Sequence, residues 1–383
     1  MRKVLGSITA VLLVALLISY GLWTSKRHVG HYLSDLRIQL AINDGQPEGR
    51  GNLLGVQPEL FPSDYSSAKR LHRKLAAYLQ QARDQGLIND KTIVVFPEHI
   101  GTWLFAVDEK TQFYQAATIE DAMNWLSFSN PLLFFDAILH ARGEDRLADA
   151  HLRMKSRSMV KNYQTVFGGL AKEFGVTLVA GSIVLPNPEV ENGQLTVGTG
   201  ALYNSSQVFG ADGLPIGQPQ RQLLPSWYQR GYIRGSKNAP LNVIDTPAGR
   251  LATLIGTDSW YPDNYHKLSL AGAELIAVPA FVAGSSGWSM PWREDKHADL
   301  TAELKQGAAP LTEGQAWRRL ALAPISSAKA GISVFMHGQF WNQGSAGHSF
   351  ASRGTQSIAD LPQVDPPKGL KPGQGARLIN VWL

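Results

Sequence analysis

Leu254-Ile255-Gly256-Thr257-Asp258-Ser259-Trp260-Tyr261-Pro262-Asp263 is the stretch on which the fold turns. Its approach, Arg250-Leu251-Ala252-Thr253-Leu254-Ile255, is a short apolar run of strand length. Gly256 interrupts it, and a helix is expected through Tyr265 to Ala271. A glycine at a strand-to-helix turn supplies backbone freedom but no side chain. Asp258 is suited to cap the following helix or to hold the turn. Trp260 and Tyr261 are placed either to wall a pocket or to pack under the helix.

Working outward, strand and helix patterns alternate. Leu54-Gly55-Val56-Gln57-Pro58 reads as a first strand, and Ser67 to Gly86 as an amphipathic helix with Leu71, Leu75, Leu79 and Ala82 on one face. Thr92-Ile93-Val94-Val95-Phe96 is a β-branched run typical of a buried parallel strand, and it ends in Pro97-Glu98. A helix over Tyr163–Phe174, strands at Val176–Ser182, Ala201–Phe209, Leu275–Val278 and Ile332–Met336, and a helix from Gln315 to Lys329 continue the pattern. Such alternation implies α/β layering. Between Thr111 and Arg153, Trp125-Leu126-Ser127-Phe128 and Leu132-Leu133-Phe134-Phe135 sit among polar stretches. They read as a helical hairpin closing over the core, or as a lid or membrane-facing patch.

Six short motifs fall in one order: Phe96-Pro97-Glu98, Gly181-Ser182, Leu202-Tyr203-Asn204-Ser205, Leu223-Leu224-Pro225, the Gly249–Asp263 stretch, and Ala273-Glu274-Leu275-Ile276-Ala277-Val278-Pro279. In that order they resemble the nitrilase, or carbon–nitrogen hydrolase, superfamily, over about 330 residues from Leu53 onward. The resemblance implies a four-layer αββα sandwich, commonly paired with a second copy through a helical face. It also implies hydrolysis or acyl transfer at carbon–nitrogen bonds by a Glu, a Lys and a Cys. The thiolate attacks carbon, the carboxylate takes the thiol proton and later activates water, and the cation stabilises charge developing in the transition state.

Glu98 matches the base. The lysine of the pattern stands three residues before the first Leu of Leu223-Leu224-Pro225, which is Gln220 here, with Arg221 beside it. The cysteine position is Gly256, with no gap needed, and the chain has no cysteine at all. Thr257 and Ser259 flank it as alternative hydroxyls. His99 adjoins Glu98, but neighbours on an extended strand face opposite ways. His266, His337 and His348 are scattered, so no metal site or cofactor is expected.

Of the 383 residues, 44% are hydrophobic and 17% charged, with a net charge of +5. This mild basic excess contains no long Lys/Arg block and gives nucleic acid no footprint. Val4 to Trp23 is an uncharged apolar run between Arg2-Lys3 and Lys26-Arg27. About 20 helical residues cross a bilayer core, so residues 1–25 read as a single-pass anchor. A cleaved signal peptide and a buried soluble helix are the rivals. A short N-terminal tail ahead of a large domain favours an extracytoplasmic domain. The expected organisation is an anchor at 1–25, a polar linker at 26–52 and the nitrilase-like domain at 53–383, with 284–311 as an insertion and a Pro/Gly-rich tail from Gln363 to Gly375.

Three functional readings remain. One is a membrane-anchored protein that has lost thiol-based hydrolysis and binds an amide-like or acyl ligand or a protein partner. Another is an active amide hydrolase or acyltransferase using water activated by Glu98 or a flanking hydroxyl. The third is a structural envelope scaffold.

Overall fold

The computed structural model describes residues 2–25, 33–292, 311–322, 328–354, 356–358, 360 and 375–383. Most of the 284–311 insertion and of the Pro/Gly-rich tail lies outside the described residues.

Seven strands come first: β1 (Ile38–Asp44), β2 (Asn52–Leu60), β3 (Thr92–Val95), β4 (Thr177–Val179), β5 (Ile183–Glu191), β6 (Gln194–Phe209) and β7 (Pro215–Arg221). They join β16 (Ala376–Trp382) in one sheet ordered β1-β16-β2-β3-β4-β6-β5, with β7 on β6 and the hairpin of β12 (His337–Phe340) and β13 (Gln343–Ala346) beside β2. The second sheet runs β15-β14-β11-β10-β9-β8, from β8 (Val243–Thr246), β9 (Gly249–Thr253), β10 (Leu275–Ala280), β11 (Ala330–Phe335), β14 (Phe350–Arg353) and β15 (Gln356–Ser357). The centre of each sheet is parallel: β2, β3 and β4 in the first, β9, β10 and β11 in the second.

Strand alternation builds the four layers. Leu53, Ile93, Val95 and Val179 of the first sheet meet Leu251, Leu275, Ala277, Ile332 and Val334 of the second in one buried cluster between the sheets. The intervening residues Leu54, Val94 and Leu178 face the other way, into a core shared with Leu71, Leu75, Leu79, Met159 and Leu170 of the helices outside. Those helices include α2 (Ala68–Asp84), α7 (Ser156–Tyr163) and α8 (Gly169–Phe174); α1 (Arg2–Ser25) precedes α2, and α3 (Thr111–Tyr114), α4 (Ile119–Ser129), α5 (Pro131–His140) and α6 (Arg146–Arg153) lie between α2 and α7. On the far side, Ala252, Leu254, Ile276 and Val278 pack under α9 (Pro262–Leu270) and α10 (Glu313–Leu322) through Tyr265, Leu268, Ala316 and Trp317. The expected αββα sandwich is therefore the architecture observed.

Two readings gain detail. The segment taken as a linker contributes β1, which pairs in parallel with β16 through Ile38, Leu40 and Ile42. The helix expected over Tyr163–Phe174 is present and widens into a π-turn at Gln164–Gly168. The helical hairpin is present as α4 and α5, with Pro131 opening α5, where a missing N–H costs nothing.

Candidate functional site

Glu98 and Gly256 meet where the two sheets end. Glu98 follows β3, and Gly256 follows β9 in the equivalent place of the other sheet. Parallel strands end there together, and open α/β sheets hold their ligands outside such carboxyl ends. Gly256 has φ +53, in the left-handed region where a side chain is strained. A Cβ added to it would stand 2.7 Å from Glu98 Oε2. The carboxylate thus fills the space into which a side chain at 256 would project.

Glu98 is buried, and its Oε1 accepts from Asn204 Nδ2 at 2.8 Å and Gln229 Nε2 at 3.2 Å. Burial pushes its carboxyl up to about 8, against these two hydrogen bonds and with a smaller push from the charge of Asp258. No Lys or Arg pairs with it among the described residues. A carboxyl in this setting carries its proton at neutral pH. It is then a hydrogen-bond donor and a poor base. Asn204 Oδ1 is buried and has no partner, so the network presents one acceptor with nothing on it.

Gln229 is the hub that sequence reading missed. Its Oε1 accepts from the Ser226 amide and hydroxyl at 2.9 and 2.6 Å, which aims Nε2 at Glu98 and at His99 Nε2, 2.7 Å away. His99 was expected to face away from Glu98. Instead its φ is 63, the alternation rule fails, and the ring lies 3.6 Å from the carboxylate. The Ser182 hydroxyl fixes this bend by accepting from the His99 backbone N–H at 2.8 Å. Burial lowers the imidazole to about 4, so it is neutral.

Gln220, at the lysine position of the pattern, bonds to its own strand and to Asn242 and not to Glu98. Gln220 donates to the Arg221 carbonyl and accepts from the Asn242 N–H, and it lines a cavity of about 10 Å³ with Ser206, Gln218 and Thr253. That volume admits about one water. Gln222, two residues on, is the one that reaches the site. It accepts from Asn204 Nδ2 at 3.1 Å and donates to the Ile255 carbonyl at 3.3 Å. Arg221 points outward, to Asn187, the Pro188 carbonyl and the ring of Tyr203.

The residues after Gly256 bond to the frame around them. The Thr257 hydroxyl donates to the Leu224 carbonyl at 2.8 Å and that of Ser259 to the Gly256 carbonyl at 2.9 Å, so neither is hydrogen-bonded to a base. Asp258 holds the elbow: its two carboxylate oxygens accept from the N–H groups of Leu223 and Leu224, each at 2.8 Å. Trp260 packs edge-on against Trp317, with ring centres 5.0 Å apart, and Tyr261 packs against the same core. Trp260 therefore lies against α10, and Tyr261 stands at the N-cap of α9. The described part of the insertion places Trp288 against Phe335 and His348. Among the described residues no group of three metal-ligating side chains forms.

Comparison with known proteins agrees with this frame. A family model described as carbon-nitrogen hydrolase matches residues 55–303. The N-carbamoylputrescine amidase of Solanum lycopersicum is 28% identical over 115 residues, 30% of this chain and 34% of that protein. The citrullinase of Francisella tularensis is 30% identical over 84 residues, 21% of this chain and 29% of that protein. The matches thus span about a third of the length of these curated relatives. Among solved structures, an amidase from Nesterenkonia sp. superposes with a TM-score of 0.50 at 14% identity, covering 90% of this chain and 93% of that one. A mutant of a Nesterenkonia amidase that carries the acetamide moiety of fluoroacetamide on its active-site cysteine gives a TM-score of 0.50 at 15% identity, covering 88% and 92%. At these identities the likeness is one of fold.

Proposed function

The chain belongs to the carbon-nitrogen hydrolase family, and from that premise we propose that it is a membrane-anchored member that no longer hydrolyses amides through a thiol. The observation that carries this reading is the carboxylate of Glu98 standing 2.7 Å from the Cβ position of residue 256. The site has closed over the missing nucleophile instead of keeping its place open. The proton held by Glu98 and the neutral Gln222 supply neither a base nor a cation. Losing a nucleophile alone removes several orders of magnitude of rate.

For the ligand, we infer a compound with a primary amide or ureido terminus. Glu98 as a carboxylic acid donates one hydrogen bond and Asn204 Oδ1 lacks a donor. Together they complement a carbonyl and an N–H of one amide group. The named activities of the relatives, N-carbamoylputrescine amidase and citrullinase, concern compounds of that class. The apolar helix Gly6–Ser25, 20 residues with mean hydropathy 1.9, supports the anchor.

The test is ammonia release from citrulline, N-carbamoylputrescine and acetamide by the full chain in detergent. None is expected above background. Release that disappears in Glu98→Gln would sink the proposal in favour of water activated by that carboxylate. A second arm introduces Gly256→Cys with Gln222→Lys and treats the protein with fluoroacetamide. The natural chain has no cysteine, so mass spectrometry assigns any adduct to position 256. No adduct is expected, because Glu98 fills the place of a side chain at 256; an adduct there would show that the place is still open and overturn the closed-site reading.

A further inference from the structure

We propose that the α4–α5 hairpin is a second membrane contact, lying in the bilayer interface beside the point where α1 emerges. The proposal rests on the anchored reading given above and extends it to the domain itself.

α5 is unusual for a surface helix. Leu132, Phe135 and Leu139, at i, i+3 and i+7, form one exposed stripe, with fractional exposures of 83%, 64% and 61%. Leu133 and Phe128 extend it sideways, each at least half exposed. Five large apolar side chains in one patch exceed the scattered exposure normal for a soluble surface. The opposite side of the helix is packed: Ala137 is buried and the ring of Phe134 stacks on His151. The patch is therefore not a poorly folded segment.

What covers the patch is indicated by its neighbour. Tyr20 and Trp23 lie in the last turns of α1, the depth at which aromatic side chains sit at a membrane surface. Both pack on this hairpin. The ring of Tyr20 is 5.3 Å from that of Phe128, and Trp23 is 5.5 Å from Phe128 and 6.4 Å from Trp125. The Tyr20 hydroxyl donates to the Phe128 carbonyl, and Lys110 donates to the Trp23 carbonyl with its ammonium 4.1 Å from the Trp23 ring centre. The hairpin therefore shares the depth of the end of α1, and its exposed stripe continues from that contact. At 10 residues, α5 is about 15 Å long and too short to cross a bilayer. An apolar helix of that length next to an anchor lies in the plane of the interface, with its stripe ~5–10 Å into the headgroup boundary.

This contact also reaches the site. The turn after α5 is bonded to the Gln229 loop through the Asp145 N–H and the Gly231 carbonyl, 2.8 Å apart. The loop that holds Glu98 is thus fixed to the same element that rests on lipid.

The absence of native cysteine makes the test direct. Single cysteines replace Leu132, Phe135 and Leu139, with Leu13→Cys in α1 and Leu270→Cys in the opposite helical layer as references. Each is labelled with an environment-sensitive fluorophore, and the full chain is placed in phosphatidylcholine vesicles containing doxyl-labelled phosphatidylcholine. The three α5 labels are expected to shift to the blue and lose intensity to the doxyl lipid, as at residue 13, while the label at 270 does neither. Quenching at 13 with none at 132, 135 or 139 overturns the proposal and leaves the anchor intact. Quenching at the α5 positions without any at 13 upholds the lipid contact and overturns the anchor. No quenching at 13 or on α5 overturns both. Unquenched α5 labels together with a disulfide-linked dimer of the unlabelled Leu132→Cys chain assign the patch to a second copy and overturn the lipid reading.

Discussion

Glu98 and Gly256 occupy one another's space: a Cβ at 256 would lie 2.7 Å from Oε2 and 3.1 Å from both Cδ and Oε1 of Glu98. Gly256→Ala therefore meets two costs. The left-handed backbone costs roughly 1–2 kcal/mol for a residue with a side chain, and overpacking against a buried group adds about 1–3 kcal/mol. Thermal melting in detergent should show a marked drop. Adding Glu98→Ala should return the packing part and leave the backbone part. Strict additivity of the two substitutions would show that the side chains do not compete for this space.

The titration of Glu98 predicts a pH dependence of definite sign. Burial raises its folded-state value from 4.5 to about 8, so the folded chain holds the proton more tightly than the unfolded chain does. Relative to Glu98→Gln, which stays neutral, the natural chain loses stability as pH rises from about 4.5 to about 8, with no further loss above that. At about 1.4 kcal/mol per unit the upper bound is about 5 kcal/mol. Melting curves of both proteins between pH 5 and 9 read the difference. His99, lowered by burial to about 4, acts in the other direction and loses stability as pH falls below 6.5. It is common to both proteins and cancels. A melting difference independent of pH would mean that Glu98 is ionised throughout.

The sequence made the layers legible because the apolar runs Thr92–Val95 and Leu275–Val278 have the length and composition of buried strands, and strand alternation then assigns their faces. The meeting of Glu98 with Gly256 was implied by the resemblance, which puts them at the family's base and cysteine positions. Three features were hidden. Gln222 lies just past the end of β7, where no periodicity marks a residue that reaches Asn204 and the Ile255 carbonyl. His99 turns inward because of a left-handed φ that no neighbouring residue type announces. Gln229 sits in an irregular loop with no periodicity. β1 did leave a signal: Ile38, Leu40 and Ile42 alternate within the supposed linker.

Away from the site, Lys74 and Asp64 form a buried pair at 2.8 Å, and the Ser34 hydroxyl donates to the same carboxylate. The pair ties α2 to the Pro62–Tyr65 turn, and the Ser34 bond adds the segment before β1. Lys74→Met leaves Asp64 charged and buried, which should cost about 3–5 kcal/mol. Lys74→Met with Asp64→Asn should recover part of that, because Asn still accepts from Ser34 while its amide faces the Phe61 N–H that Oδ2 now accepts from. Equal melting temperatures for the single and double variants would refute the pairing argument.

Asp258 offers the sharpest test of how the elbow and the Gln222 segment are held together. Its two oxygens accept from adjacent backbone donors, the N–H groups of Leu223 and Leu224, at 2.8 Å each. An asparagine has the same shape but only one accepting oxygen. Asp258→Asn therefore leaves one buried N–H facing an amide donor, at a cost of about 1–3 kcal/mol. The loss is local before it is global, because Gln222, Leu223 and Leu224 connect directly to the Gln229 loop. Hydrogen exchange should accelerate over residues 222–230 while β9 and β10 stay protected. Faster exchange spread evenly over both sheets, or none at all, would show that Asp258 does not clamp this segment.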